Sequence, residues 1–382
     1  MVKKMQKILH IPNYYYPHIG GIEQTTRDIV DSLRGLYEQK VICFNHEKKT
    51  ASDFVDETEI IRVKCQTKIA SQSIALAYGK VLKRTIKEFN PDIVIFHYPN
   101  PFVAHSLVKH LKNKKFKFIL YWHLDITKQK LLGKFFKGQT RRLLNKADLV
   151  ITTSPNYLAH SEFLPLYKEK CKVIPSCVSN YVVKYNDKHL ALSDEYKKKY
   201  EGKIILFTFG RHVEYKGLEY LIEASKYLND DYKILIGGKG PLTESLKEMA
   251  KDDNKIEFLG RLSDDDVKAY LLLCDIFCFP SITKNEAFGL ALAEAMAYGN
   301  PAITFTIEGS GVNYVNLANV TGLEVPNRDS KAFAEAVISM KDKINIFGPK
   351  AKERVEELFI FDVFKKNIIS TIEELINEKN NN

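Results

Sequence analysis

Short runs of apolar residues alternate with amphipathic stretches along most of the chain. In the first half, runs of four to six apolar residues predict strands, and stretches with apolar residues at helical spacing predict helices. The predicted strands are residues 7–11, 40–44, 59–63, 92–97, 116–122, 149–153 and 172–174, and a helix begins at about residue 22, with others at 71–89, 102–112, 127–145 and 155–163. Apolar runs without strict polar alternation suit a parallel sheet that helices cover on both faces. We therefore predict a doubly wound α/β domain.

The same alternation restarts after residues 176–201, which are rich in Asn, Lys, Tyr and Asp and are interpreted as a domain connection. Strands are predicted at 204–209, 232–236, 256–259, 275–279 and 302–305. A chain of 382 residues is too long for one ordinary core. We predict two Rossmann-like domains, 1–180 and 181–358, and a third segment, 359–382, with a C-terminal helix and a disordered tail. A break in the terminal helical pattern is expected near residue 361.

The composition, 45% apolar and 27% charged, is that of a globular protein. No apolar run reaches the ~18 residues that a membrane span requires, and the N-terminus lacks the apolar core of a signal peptide. The six cysteines form no C-x-x-C pair, and Cys43, Cys274 and Cys278 fall in apolar runs. We therefore expect reduced core cysteines and a cytoplasmic protein.

The net charge of +10 is unevenly distributed. Residues 1–190 hold 32 Lys and Arg against 16 Asp and Glu, whereas the remainder holds 25 against 31. A basic half suits nucleic acid, an anionic membrane or an anionic substrate, or it is simply a soluble lysine-rich surface. The chain has no nucleic-acid-binding motif, so we expect a membrane or an anionic substrate as partner and no nucleic acid.

Two predicted helices concentrate this positive charge on one side. Basic amphipathic helices of this kind can lie on an anionic leaflet, which would place the chain peripherally on the inner face of the cell membrane. A docked helix with a solvated basic face is the alternative. The residues concerned are Lys80, Lys83, Arg84 and Lys87 in the first helix, and Lys128, Lys130, Lys134, Lys137, Arg141, Arg142 and Lys146 in the second.

Candidate chemistry is concentrated in residues 280–301, where a predicted strand leads through a polar loop into a helix. Glu286 lies in the loop, and Glu294 lies eight residues later among small and apolar residues. A buried carboxylate needs a partner, so Glu294 either pairs within the protein or binds a ligand. The N-terminus of the helix, near residues 287–290, exposes N–H groups that can hold a phosphate. A phosphate site beside carboxylates that accept hydrogen bonds from hydroxyls describes a nucleotide-sugar site.

The segment from Glu286 to Glu294 resembles the Glu, seven residues, Glu motif of the retaining glycosyltransferases of family 4, which have the GT-B fold. The resemblance implies that Glu294 binds the ribose hydroxyls of the donor and that Glu286 contacts the donor sugar. It also implies that the backbone of Phe288, Gly289 and Leu290 holds the diphosphate. Four further stretches agree with the family pattern in the expected order, so the resemblance covers nearly the whole chain.

Two of these stretches lie in the first half. Gly20 and Gly21 match a P-x-x-G-G loop that is implied to face the donor diphosphate, although a bare Gly-Gly pair also suits a tight turn. His123 and Asp125 match an H-x-D motif at a strand end. From its residue type alone, His123 could be a general base, a hydrogen-bond donor to a sugar or a structural histidine, and an isolated histidine is most often structural. The resemblance implies that His123 touches the transferring sugar and that Asp125 lines the donor site.

The other two stretches lie in the second half. Arg211 and Lys216 are five residues apart near a predicted helix start, so both can face one anion. They match the donor-diphosphate clamp of the family, and Gly238 and Gly240 match a G-x-G-P loop that borders the nucleotide. The implied catalytic residues are His123, Arg211, Lys216 and Glu286.

The implied architecture is two Rossmann-like, doubly wound parallel-sheet domains that face a central cleft. Residues 1–180 are implied to form the acceptor side and residues 181–358 to bind the nucleotide sugar, while the C-terminal helix of residues 359–382 is implied to cross back to the first domain. The implied activity is retaining transfer of a hexose from a UDP- or GDP-sugar to a hydroxyl of a glycan or lipid-linked saccharide. Such a reaction would serve the synthesis of a surface polysaccharide, such as lipopolysaccharide or capsule, or of a glycolipid. The alternatives are another GT-B activity, such as a nucleotide-sugar epimerase or a phosphorylase, and a non-catalytic nucleotide-binding membrane scaffold.

No cofactor or metal is expected. The acidic run from Asp264 to Asp266 invites a metal interpretation, but it follows Ser263 at a predicted helix start. A serine N-cap with acidic residues in the first turn complements the helix dipole. We therefore interpret this run as a helix cap.

Overall fold

A computed structural model of the chain describes residues 5–18, 20–45, 47, 49–69, 72–126 and 133–377. The chain divides into two compact units. Unit 1 comprises Met1–Thr153, Leu158–Ile174 and Phe364–Asn382, and unit 2 comprises Ser154–Tyr157 and Pro175–Val363. The expected disordered tail from residue 378 and the beginning of the second basic helix, residues 127–132, lie outside the described residues.

Unit 1 contains the first ten strands. They are β1 (Lys7–Ile11), β2 (Glu38–Asn45), β3 (Ala51–Val55), β4 (Thr58–Lys64), β5 (Thr67–Ile69), β6 (Gln72–Ile74), β7 (Ile93–Tyr98), β8 (Lys117–Trp122), β9 (Leu149–Thr152) and β10 (Cys171–Val173). Eight of them form one sheet in the order β10-β9-β8-β7-β1-β2-β4-β3, and β5 pairs with β6 separately. All the pairs of the large sheet are parallel except β3–β4.

Helices follow most strands of unit 1. They are α1 (Gly21–Leu33), α2 (Tyr78–Phe89), α3 (Pro101–Val108), α4 (Gly133–Lys146) and α5 (Pro155–His160). Every residue of β7 is buried, as expected for a central parallel strand covered on both faces. The predicted helix at 71–89 is wrong at its start, because residues 72–74 pair as a strand and the helix begins only at Tyr78.

Unit 2 contains a second sheet. Its strands are β11 (Ile204–Phe209), β12 (Tyr232–Gly237), β13 (Ile256–Gly260), β14 (Ile276–Phe279), β15 (Ala302–Phe305) and β16 (Gly322–Val325). They are parallel and lie in the order β13-β12-β11-β14-β15-β16. The helices are α6 (Asn180–Val183), α7 (Asp187–Lys199), α8 (Leu218–Ser225), α9 (Thr243–Met249), α10 (Asp264–Leu273), α11 (Leu290–Ala297), α12 (Val312–Val315), α13 (Ser330–Met340) and α14 (Ile344–Leu358). The two parallel-sheet units confirm the predicted fold class.

The interpretation of residues 176–201 as a plain connection is wrong, because this segment forms α6 and α7 and belongs to unit 2. The Tyr196 ring of α7 stacks on Tyr270 of α10, with 4.5 Å between ring centres. Its hydroxyl donates to the Asp266 carboxylate over 2.8 Å. The helix was missed because its remaining surface is lysine-rich and polar.

The acidic run at the start of α10 is a helix cap, as predicted. The Ser263 hydroxyl accepts from the Asp266 amide over 3.1 Å, and the Asp266 carboxylate accepts from the Ser263 amide over 3.1 Å. Asp265 forms an ion pair with Lys188 over 2.6 Å. Asp265 and Asp266 therefore have partners within the protein, so a bound ligand is not needed to explain why acidic residues lie there.

The last helix, α15 (Phe361–Asn377), follows α14 after a break at residues 359–360, close to the predicted position. From Phe364 onwards it belongs to unit 1, where Lys172 lies 2.6 Å from Glu374. Cys43, Cys274 and Cys278 are buried and form no disulfide, as expected of core cysteines. No helix in the described part of the chain has the length and apolar character needed to cross a bilayer.

Candidate functional site

In unit 2, the order of the strands along the sheet reverses between the neighbours β11 and β14. Ligands of open α/β sheets bind in the crevice outside the carboxyl ends of the strands at such a point. Gly210 and Arg211 follow β11, and Pro280 and Ser281 follow β14. The sheet therefore brings the predicted residues of the second half to the edge where a ligand site is expected.

Lys216 and Glu286 form an ion pair at this edge. Nζ of Lys216 lies 2.5 Å from Oε2 of Glu286, and the two side chains are only 15% and 13% exposed. The Ser281 hydroxyl donates to the same carboxylate oxygen over 3.3 Å. The Lys216 ammonium also lies 4.8 Å from the centre of the Phe279 ring. Lys216, predicted to bind the diphosphate, and Glu286, predicted to contact the donor sugar, are thus in direct contact.

The electrostatics of this edge keep Lys216 charged. Burial by itself would lower the pKa of Lys216, but the nearby Glu286, Tyr215 and Glu294 more than offset this effect and raise it. Arg211 is exposed in the turn after β11. An ammonium flanked by two carboxylates can bind a phosphate oxygen while the carboxylates accept hydrogen bonds from hydroxyl groups.

The loop from Glu286 to Gly289 is fixed by a second loop. The Ser310 hydroxyl donates to the Glu286 carbonyl over 2.5 Å, and the Gly311 amide donates to the Ala287 carbonyl over 3.0 Å. A Cβ atom at Gly311 would lie 2.3 Å from the Ala287 oxygen, so this close approach requires glycine. The loop therefore holds the Glu286 side chain in a defined place.

Helix α11 begins at Leu290, and Gly289 precedes it with φ +93°. The Phe288 ring is buried and packs edge-on against Phe359, with 5.4 Å between ring centres. Of the residues predicted to hold the diphosphate, Phe288 can therefore contribute only its backbone. The positive φ favours glycine at position 289, where the chain turns into the helix.

Glu294 is half-buried, so the expectation of a buried carboxylate is wrong. It lies on the second turn of α11, and Leu290, Ala291 and Tyr298 on the same side of the helix are also only partly buried. Its charge still acts within the protein, because it contributes to the raised pKa values of Lys216 and Tyr298.

Gly238 and Gly240 allow the turns after β11 and β12 to pack together. Gly238 has φ +109°, and a Cβ atom there would lie 1.9 Å from the Gly210 oxygen. A Cβ atom at Gly240 would lie 2.3 Å from the His212 oxygen. These glycines thus hold the turn that carries Arg211, and their predicted contact with the nucleotide stays a prediction.

In unit 1, His123 follows β8 and is 6% exposed. Its Nε2 lies 3.1 Å from Nδ1 of His97, and its ring lies 4.8 Å from the ring of Tyr121. Burial lowers the pKa of His123 to about 3. The ring is therefore neutral at physiological pH and contributes a hydrogen-bonding group without a charge.

Asp125 is 3% exposed and holds the strand end together. Its carboxylate accepts hydrogen bonds from Trp122 Nε1 over 3.1 Å, from the Ser161 hydroxyl over 2.7 Å and from the Glu162 amide over 3.2 Å. These contacts give it a structural task beside His123. Its predicted part in binding the donor stays a prediction.

Gly20 precedes α1, and Gly21 is the first residue of that helix. A Cβ atom at Gly20 would lie 2.3 Å from Oε2 of Glu23, whose side chain is folded back against the start of the helix. Burial raises the pKa of Glu23, and a hydrogen bond from its own amide lowers it in part. The Glu23 carboxyl group therefore lies beside the loop that the sequence predicts to face a diphosphate, and this predicted role of Gly20 and Gly21 stays a prediction.

Sequence reasoning missed three residues around these sites. Ser281 contacts Glu286, and His97 contacts His123 together with Thr26. His97 was detectable, because it lies near the end of a predicted strand, as His123 does. Ser281 and Thr26 have no motif of their own.

Family models match both halves of the chain. A model described as Glycosyltransferase Family 4 matches residues 19–180, and one described as Glycosyl transferases group 1 matches residues 192–354. Together they cover the strands of both sheets except β1, which precedes the first match.

Relatives of known name are similar over nearly the full length. The chain is 30% identical to O-antigen chain mannosyltransferase C of Escherichia coli over 93% of this chain and 95% of the relative. It is 29% identical to D-rhamnosyltransferase WbpZ of Pseudomonas aeruginosa over 92% of both chains. Among solved structures, sucrose-phosphate synthase from Thermosynechococcus elongatus matches 98% of this chain and 100% of its own, with a TM-score of 0.78 and 18% identity, which establishes a shared fold.

Proposed function

This chain belongs to the group 1, family 4 glycosyltransferases, and from that membership we propose that it transfers a hexose of manno configuration from a nucleoside diphosphate sugar. Two relatives are named for transfer of mannose and of D-rhamnose, which is 6-deoxymannose. The proposed acceptor is a hydroxyl of a glycan or lipid-linked saccharide in the synthesis of a surface polysaccharide. The proposed donor carries GDP or UDP.

The ion pair of Lys216 and Glu286 at the carboxyl edge of the second sheet carries the proposal. Lys216 and Arg211 would offset the charge that grows on the diphosphate as its bond to the sugar breaks. Glu286 would accept hydrogen bonds from hydroxyls of the sugar, and Glu294 from those of the ribose. The backbone at Gly289, before α11, would hold the diphosphate.

Retention follows if the acceptor attacks from the face that the diphosphate leaves. The bond between the anomeric carbon and the diphosphate oxygen breaks, and the bond to the acceptor oxygen forms. The acceptor proton passes to the departing diphosphate oxygen, so no protein nucleophile is needed. We prefer transfer to a saccharide over epimerisation, phosphorolysis or a scaffold role, because the relatives named for an activity are transferases.

Thermal unfolding with GDP, UDP, ADP and their hexose conjugates tests the donor site. A ligand at about a hundred times its Kd adds ~2.7 kcal/mol to the free energy of unfolding, enough to rank donors. Glu294→Gln should abolish most of this gain, whereas Glu335→Gln, on the exposed side of α13, should not change it. If none of the diphosphates stabilises the chain, the proposed site is wrong.

Steady-state kinetics separate the two glutamates. Glu286→Gln should lower kcat at least ~10-fold and keep the affinity for free nucleoside diphosphate, because its contacts strengthen as the sugar departs. Glu294→Gln should mainly raise KM for the donor. Equal effects of both variants on kcat and KM would contradict these separate assignments.

We further propose that the chain meets its acceptor on the inner face of the membrane. Lys83, Arg84 and Lys87 are exposed on α2, and Leu76, just before this helix, is 85% exposed. A basic helix beside an exposed apolar residue suits an anionic leaflet. Flotation with vesicles of anionic lipid should recover the wild type and the control Lys352→Glu, but not Lys83→Glu/Lys87→Glu. Recovery that does not depend on anionic lipid contradicts this proposal.

A further inference from the structure

Two buried residues hold the inner end of His123, and the proposed function uses neither of them. His97 lies near the end of β7 and Thr26 lies on α1, and both are 0% exposed. Nδ1 of His97 lies 3.1 Å from Nε2 of His123 and 3.3 Å from Oγ1 of Thr26. The three side chains form one chain of polar contacts beneath the strand ends of unit 1.

The positions of the protons on these three side chains follow from the hydrogen bond that Thr26 donates. The Thr26 hydroxyl donates to the Ile22 carbonyl over 2.8 Å, so its only proton is already used. Toward His97 the Thr26 oxygen can then only accept, and Nδ1 of His97 must carry the ring proton. The same N–H donates to His123, which makes Nε2 of His123 the acceptor. The single proton of a neutral His123 ring therefore lies on Nδ1.

Other features of the site agree with this arrangement. Burial lowers the pKa of His123 to about 3, and burial together with His123 and His10 lowers the pKa of His97 well below its ordinary range, so each ring carries one proton. Nε2 of His97 is buried without a hydrogen-bond partner among the described residues. With the ring proton on Nδ1 of His97, Nε2 carries only a lone pair, whereas a proton on Nε2 would bury an N–H group with no acceptor.

His10 cannot exchange protons with these three side chains. Its Nε2 lies 2.9 Å from Oε1 of Gln39, and the amide nitrogen of Gln39 donates to the Val30 carbonyl over 2.9 Å. Oε1 of Gln39 is therefore the acceptor, and His10 holds its proton on Nε2. The ring proton of His10 is thus held independently of the proton on His97.

We propose that Thr26 and His97 are positioning residues that fix His123 as the tautomer protonated on Nδ1. His123 then offers an N–H donor to its ligand and has no basic nitrogen available on that side. That the ligand is a hydroxyl of the transferred sugar rests on the proposed function. The tautomer itself does not depend on it.

NMR of the full chain with 15N-labelled histidine tests the tautomer directly. At pH 7.5, Nε2 of His123 should resonate as an unprotonated ring nitrogen and Nδ1 as a protonated one, with the signals assigned from their loss in His123→Gln. A protonated Nε2 in the wild type overturns the proposal. The result does not require a donor or any activity.

Matched variants test the two positioning residues. Thr26→Val removes one of the two constraints on the proton arrangement, so both His123 nitrogens should shift part of the way towards averaged values, while Thr26→Ser should keep the wild-type values. His97→Asn places an amide N–H near the Nδ1 position and should retain the tautomer, whereas His97→Leu should lose it. Unchanged His123 signals in both Thr26→Val and His97→Leu would overturn the positioning role.

Kinetics connect the tautomer to the reaction. With the donor found by thermal unfolding, His97→Leu should lower kcat about tenfold without changing the affinity for free nucleoside diphosphate, and His97→Asn should restore kcat. If the tautomer changes and kcat does not, the role of this chain of contacts in the reaction is overturned while the proposed function stands. Thermal unfolding of each variant shows that it is folded.

Discussion

The Lys216 ammonium and the Glu286 carboxylate neutralise each other within a largely buried edge of the second sheet. Neither group can be removed alone without leaving the other charge poorly solvated, which is costly in a protein interior. The pair therefore contributes to stability as long as both members remain. The loss of stability on removing one member therefore tests the structural role of the ion pair separately from its proposed role in the reaction.

Lys216→Met should lower the free energy of unfolding by about 3 kcal/mol, because Glu286 is left without its ion pair. The double variant Lys216→Met/Glu286→Gln should recover at least half of this loss, since no unpaired charge remains. Urea unfolding followed by circular dichroism measures both. A double variant that is less stable than the single one would contradict the explanation.

Gly238 is a second residue whose replacement should be severe. Gly238→Ala should cost about 4 kcal/mol or more, because its Cβ atom would lie 1.9 Å from a backbone oxygen at φ +109°. Gly202→Ala is the matched control, with φ +75° and nothing near its Cβ atom, and should cost only about 1 kcal/mol. Equal losses on thermal unfolding would show that the close approach is unimportant.

At the scale of elements, the central strands were predictable because they are buried on both faces. The strands β7, β8, β11 and β14 consist mostly of apolar residues, with no more than one polar residue in each besides tyrosine. Strand β3 was missed because it lies at the edge of the sheet and its middle residues are exposed and partly polar. Helix α7 was missed because few of its residues are buried. Burial by distant segments is not visible in local periodicity.

The candidate site, too, could be predicted from the sequence only in part. Residues in the motifs could be selected from the sequence, and the sheet brings Arg211, Lys216 and Glu286 to one edge. The contact between Lys216 and Glu286 could not be predicted, because it arises from the adjacency of β11 and β14. Thr26 and His97 meet for a similar reason, since a helix packs over a strand more than seventy residues away.

The cap of α10 is an element-scale feature with a measurable effect. Ser263→Ala should lower the free energy of unfolding by about 1 kcal/mol, because the Asp266 amide loses its acceptor. Ser263→Thr retains the hydroxyl and should be nearly neutral. If Ser263→Ala is as stable as the wild type in urea, the cap contributes nothing.

At the scale of the whole molecule, the buried histidines of unit 1 should set its sensitivity to acid. Burial lowers the pKa of His10 to about 4 and that of His123 to about 3, against an ordinary value of 6.5. Between these values the unfolded chain binds protons that the folded chain cannot bind. The free energy of unfolding therefore falls as the pH drops below about 6.5.

At pH 5 each of these two histidines should cost the folded state about 2 kcal/mol relative to neutral pH. Urea unfolding at pH 7.5 and pH 5 measures the difference. His10→Gln, which cannot titrate, should reduce the loss by about 2 kcal/mol. An identical loss in wild type and variant would show that His10 is protonated in the folded state or is not buried.

The division of the chain into units has a consequence for biosynthesis. Unit 1 begins at the N-terminus, but α15 enters it only from Phe364, after the whole of unit 2. Buried residues of this helix, such as Phe364, Ile368 and Ile372, leave the ribosome only after all of unit 2. A nascent chain can thus complete its second sheet while its first still lacks a helix. The earlier-translated unit is therefore completed later, and during elongation it exposes the apolar surface that α15 covers.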